Sequence, residues 1–115
     1  MNGSTFIVDG KGDGKTKFKT IREAVDKAKA MDRIVIQQGT YSEHILVNKA
    51  LIIEGVGDVT IESHTRDVLT FICTTARLCN LNLKQKQKQD VNCVNVETGN
   101  IVLDHCDIRK NARAI

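Results

Sequence analysis

From residue 33 onward the chain shows no helical period and instead breaks into short β-branched bursts. They are RIVI (33–36), HILV (44–47), LIIE (51–54), VTIE (59–62), VLTFI (68–72), CNLNL (79–83), CVNV (93–96), NIVL (100–103) and CDIR (106–109). Gly, Asn, Asp or Thr stands between many of them, and the pattern predicts many short strands. TFIV (5–8) predicts one more. The stretch Asp9–Thr16 that follows carries Gly10, Gly12 and Gly14 at alternate positions, which disfavours helix and strand alike and predicts a loop. One helix is expected, over about residues 20–30. Thr20 and Glu23 form a T-x-x-E capping box, and Ile21, Ala24, Val25 and Ala28 fall on one stripe. Lys27 and Lys29 suit the negative end of its dipole.

The bursts repeat. Leu69 and Phe71 are matched one period later by Val94 and Val96, and Leu78, Leu81 and Leu83 by Leu103, Cys106 and Ile108. At the same offset Asn80 aligns with His105 and Asn82 with Asp107. Going backward, Val47 precedes Leu69, and Ile61 precedes Leu83, by a slightly shorter interval. A near-constant period of about 22–25 residues, with two or three strands in each, describes solenoid coils rather than hairpins. No coil can bury its inward side chains alone, so stacking must build a continuous column with like residues above like. The amphipathic helix can cover the first coil, because an open strand edge invites association. The segment after Ile108 is too short to cover the other end. Either the solenoid runs on in a longer chain, or the C-terminal edge pairs in an oligomer.

The chain has 115 residues, which suits a single domain over 1–115, with the helix cap at about 20–30 and coils at about 33–110. No apolar run approaches the ~18 residues of a membrane span, and no secretory leader pattern opens the chain. The net charge of +3 is small and scattered, which argues against a nucleic-acid partner. Cys73, Cys79, Cys93 and Cys106 lie in apolar segments without a C-x-x-C pair, so buried reduced thiols are expected rather than disulfides or a zinc site. The expected compartment is the cytoplasm or nucleus. Asn2-Gly3-Ser4 fits a glycosylation sequon that such a compartment would leave unused.

Residues Phe18 to Ile61 resemble the opening of right-handed parallel β-helix proteins of the pectin-lyase-like kind. The shared outline with pectin methylesterases is an F-x-T-I-x-E-A helix, a D-x-I-x-I strand, a G-x-Y-x-E turn (Gly39, Tyr41, Glu43) and L-x-I-x-G (Leu51, Ile53, Gly55). ARLCNLNLKQ (76–85) and VNVETGNIVLDHCDIR (94–109) are similar instead to the CASH-type repeats of intracellular β-helices. These are found in an F-box substrate receptor and in a Shc-binding protein. The resemblance implies an all-β, right-handed parallel β-helix of about four coils with an N-terminal capping helix. It also implies a partner-recruiting role in ubiquitin transfer or cell-division signalling.

Candidate chemistry is sparse. Pectin methylesterase catalysis would need motifs of which only Gln89-Asp90-Val91 is a shadow. Gly39, Tyr41 and Glu43 are expected to shape a turn, with Tyr packing and Glu outward. Asp104 and Asp107 lie at odd spacing, which points them to opposite faces unless the strand bends sharply. His105 reads as a stacked turn position, and His44 and His64 lack partners at ligand spacing. The glycine loop fits neither a P-loop, which would need Gly at Asp9, nor an EF-hand, which would need other residues at Lys11 and Thr20. Lys84, Lys86 and Lys88 alternate with glutamines and share one face when extended; they suit an acidic partner, or equally a solvated tract that discourages edge pairing. The expectation is a non-catalytic protein-interaction module without cofactor or metal. A carbohydrate-binding or carbohydrate-active domain is the alternative.

Overall fold

The computed structural model describes residues 4–10, 18–63, 68–72, 74–86 and 93–110. Its elements are β1 (Thr5–Val8), α1 (Ile21–Lys27), β2 (Arg33–Ile36), β3 (Gly39–Ser42), β4 (Ile45–Val47), β5 (Ile52–Gly55), β6 (Val59–Ser63), β7 (Leu69–Phe71), β8 (Thr74–Cys79), β9 (Asn82–Gln85), β10 (Val94–Val96), β11 (Gly99–Asp104) and β12 (Asp107–Lys110). The strands form three sheets. The first runs β1-β2-β5-β8-β11, the second β3-β6-β9-β12 and the third β4-β7-β10. Every pairing is parallel. Three strands in succession thus make one coil, one per sheet, before the chain returns to the first. The fold is a β-solenoid of about three turns, completed by β10, with β11 and β12 repeating the first two strand positions once more.

Period-2 alternation sets which residues enter the column. Ile34, Ile53, Leu78 and Leu103 stack in register in the first sheet. Tyr41, Ile61, Leu83 and Ile108 stack in the second. In the third, Ile45 meets Leu69 and Val94, and Val47 meets Phe71 and Val96. The offset read from the later coils, Leu69 to Val94 and Leu78 to Leu103, is therefore the true register. The match of Val47 to Leu69 has slipped along the strand, because Val47 pairs with Phe71. The period also shortens toward the start, where Arg33 pairs with Ile52, because the early turns are tighter than those that bring Thr74 to Gly99. Each fully buried Ile, Leu or Phe of the column contributes roughly 1.5–3 kcal/mol relative to an exposed one.

One burst holds a corner rather than a single strand, and a second corner falls between two bursts. CNLNL divides at Asn80, and the chain before CDIR divides at His105. Both residues adopt φ of 54° and turn the chain from the first sheet to the second. Asn tolerates this left-handed conformation and uses it, since its Nδ2 donates to the carbonyls of Gly55 (2.9 Å) and Gly57 (3.2 Å) one coil earlier. Gly55 is required beneath it. A Cβ there would lie under 3.0 Å from the Asn80 carbonyl oxygen and within about 3.1 Å of Leu81 and Val59 side chains.

The expected turn at Gly39–Glu43 is a strand up to Ser42. Tyr41 is buried in the column, and its hydroxyl donates to the Gln37 carbonyl (2.9 Å) and accepts from the Gly10 amide (3.3 Å). Burial pushes its phenol pKa up. Glu43 does not face outward. Its two carboxylate oxygens accept from the amides of Ile21 (2.8 Å) and Arg22 (2.9 Å), at the positive end of α1.

The helix is shorter than the stripe suggests. Thr20 caps it by accepting from the Glu23 amide (3.2 Å), while its hydroxyl donates to the Glu23 carboxylate (3.0 Å). At the other end Ala28 is already extended, because the Lys49 ammonium takes the carbonyls of Val25 (2.5 Å) and Ala28 (2.6 Å). Lys29 thus lies beyond the helix rather than in its last turn. Its amide donates to Asp32 (2.7 Å), as does that of Ser4 (2.7 Å). Ile21, Ala24 and Val25 face the solenoid, and α1 packs on β1, β2 and β4. Glu43 and Lys49 flank β4, so this strand grips both ends of the helix that covers it. Cys79, Cys93 and Cys106 form no disulfide, but only Cys93 is buried; Cys79 and Cys106 are partly exposed, and Cys73 lies outside the described residues. Among the described residues no helix is long and apolar enough to cross a membrane.

Candidate functional site

The outward register positions of the second sheet form two rows. Thr40, Thr60, Asn82 and Asp107 share one register, and Ser42, Glu62, Lys84 and Arg109 the next. Strands in a ladder stand about 4.8 Å apart, so each row is a regular series of polar residues fixed by backbone pairing. Lys84 is exposed on β9, between the buried Leu83 and Gln85. Lys86 follows the strand, and its ammonium lies 3.4 Å from Glu62, which also accepts from the Ser42 hydroxyl (3.3 Å). Lys84 and Lys86 therefore do lie on one side of the extended chain, and the register sets Arg109 beside Lys84. Lys88 lies outside the described residues, as do His64, Gln89-Asp90-Val91 and the loop from Lys11 to Thr16.

Next to the lysines is a shallow polar groove of about 250 Å³, lined by Asp58, Thr60, Asn82, Leu83, Lys84 and Asp107. The Asn82 amide donates to Asp58 (3.3 Å) across it. Sequence reasoning found the strands that carry Thr60, Glu62 and Asn82 but not this surface. The signal was the unbroken run of polar residues at the outward positions of β6 and β9.

Asp104 and Asp107 are separated by the corner at His105 and belong to different sheets. Asp104 is occupied. The Arg77 guanidinium (3.0 Å) and His105 Nδ1 (2.8 Å) both hold it, and the Arg77 hydrogen bond keeps its carboxyl below the usual range. The same contact raises the Arg77 pKa. Among the described residues no group of three or more His, Cys, Asp or Glu side chains is placed to hold a metal ion. His44 sits in the loop before β4, beside α1, in a hollow lined by Arg22, Asp26 and Lys49.

No family model matches the chain, and no match is found among curated proteins or solved structures.

Proposed function

We propose that this chain is a non-catalytic binding module built on a right-handed parallel β-helix of four coils, counting β11 and β12 as the start of the last. Its partner is a protein, recognised through an acidic segment that binds Lys84, Lys86 and Lys88. The observation that carries the reading is the outward row on the second sheet. It pairs Lys84 in register with Arg109 at strand spacing, and the Lys86 ammonium lies 3.4 Å from Glu62 of the same row. A rigid ladder needs no ordering on binding, so its cations meet a partner at little entropic cost. The similarity to CASH-type repeats supports a recruiting role within an intracellular assembly of the ubiquitin-transfer or cell-division kind.

A glycan seated in the groove of Asp58, Asn82 and Asp107 is the second reading, favoured by the polar lining there. One titration separates the two. A fluorescent peptide rich in Asp and Glu is expected to bind, with affinity that falls as salt rises. Lys84→Glu is expected to weaken it about tenfold, equivalent to about 1.4 kcal/mol. A peptide that binds equally well to Lys84→Glu, or not at all, refutes the acidic-partner reading. Oligosaccharide binding that Asp107→Ala abolishes and Lys84→Glu leaves intact establishes the second.

A further inference from the structure

Lys84 and Lys86 are not equivalent. The Lys86 amide donates to the Ser63 carbonyl (2.8 Å), so the ladder between β9 and β6 runs on to this residue. Alternation then sets the two lysines on one side of the sheet, roughly 6.6 Å apart along the strand. Lys84 is exposed, and its register neighbour on β6 is Glu62. It lines the groove with Asp58 and Asp107, yet among the described residues it forms an ion pair with neither. Lys86 instead reaches back one coil, to 3.4 Å from Glu62 Oε1, while Glu62 Oε2 accepts from the Ser42 hydroxyl (3.3 Å). The Glu62 side chain is only 14% exposed against 39% for Lys86. One cation of the row therefore stands open, and the next is held by an acid of the same row.

We propose that Glu62 determines which acidic segment the row accepts: it holds Lys86 in the free chain, and the segment that releases Lys86 is extended and carries acidic side chains two residues apart. This inference deepens the acidic-partner reading and rests on it. The first carboxylate of the segment meets Lys84. The second reaches Lys86 only by taking the place of Glu62, and exchanging one carboxylate for another at the same ammonium gains little by itself. The exchange becomes favourable once the first contact holds the segment, because the second then forms at a high effective concentration. An extended chain repeats its side chains on one face at the same interval of roughly 6.6 Å as the two lysines. Acids at alternate positions therefore match Lys84 and Lys86, whereas adjacent acids point to opposite faces. A segment with the wrong spacing leaves Lys86 with Glu62, whose charge then repels it. Glu62 thus works against acidic segments that cannot use both lysines.

The test is fluorescence anisotropy at low salt on the 115-residue chain with two labelled peptides of identical composition. One alternates Glu with Ser, and the other repeats Glu-Glu-Ser-Ser. The alternating peptide is expected to bind about threefold more tightly than the blocked one. Glu62→Gln keeps an acceptor for the Ser42 hydroxyl and should raise the affinity for the alternating peptide about fivefold, a gain that loss of a merely structural contact would not give. Lys86→Ala should weaken that peptide about twofold in the wild-type chain and about fivefold in Glu62→Gln, where the ammonium is open from the start. Circular dichroism of each variant confirms the fold. Equal binding of the two peptides, an affinity that Glu62→Gln leaves unchanged or lowers, or equal losses for Lys86→Ala in both backgrounds would each overturn the proposal. If Lys84→Glu still weakens binding in those cases, the acidic-partner reading stands without it. Binding of neither peptide, or binding indifferent to Lys84→Glu, removes both.

Discussion

Replacing Glu43 with Ala removes the carboxylate that receives two amides at the start of α1, at 2.8 and 2.9 Å. A helix of seven residues is far below the length that is stable alone, so α1 exists because its ends and its apolar face are held. Capping contacts contribute about 0.5–2 kcal/mol, and hydrogen bonds to a charged group about 1.5–3. Glu43 is only half-buried, and Thr20 keeps its hold on the Glu23 amide, so about 1–2 kcal/mol is expected from Glu43→Ala. Glu43→Gln retains an acceptor but loses the attraction to the dipole and should cost about 0.5–1 kcal/mol. Urea unfolding measures the total, and hydrogen exchange at the Ile21 and Arg22 amides locates it. Lys49→Met strips the other end, where the ammonium holds the Val25 and Ala28 carbonyls. The two changes should be sub-additive, because a helix released at one end has already weakened its contact at the other. Unchanged exchange at Ile21 and Arg22 in Glu43→Ala, or strictly additive losses, would refute the picture of a helix clamped across β4.

Gly55→Ala should cost about 1–3 kcal/mol in urea unfolding, since its Cβ meets the Asn80 carbonyl and strains the amide bonds that Asn80 makes to Gly55 and Gly57. A loss no larger than that of an exposed Ala substitution would contradict the close approach. Asp32 is held below the usual carboxylate range by the Lys29 and Ser4 amides, so its contribution is present above the unfolded value near 3.8 and is lost as pH falls through its folded pKa. Stability measured by urea unfolding should fall on acidification below about pH 4, and Asp32→Asn should flatten that limb. An unchanged slope in Asp32→Asn would assign the acid sensitivity elsewhere.

Much of the solenoid is legible because its coils repeat their own spacing. Leu78 over Leu103 and Leu83 over Ile108 follow directly from a constant offset, and β-branched bursts mark most inward positions. Where the period shortens, the reading slips, as at Val47. It also fails where one residue does tertiary work. Nothing local in Gly-Thr-Tyr-Ser marks a strand, and β3 exists because Tyr41 completes the column and pairs in register with Ile61. Glu43 looks like a surface acid until α1 is folded over β4, a contact 21 to 22 residues away in sequence. The candidate surface was half visible. Lys84 and Lys86 stand out as a charge pattern, but Glu62 and Arg109 join them only through strand register, which no local motif records.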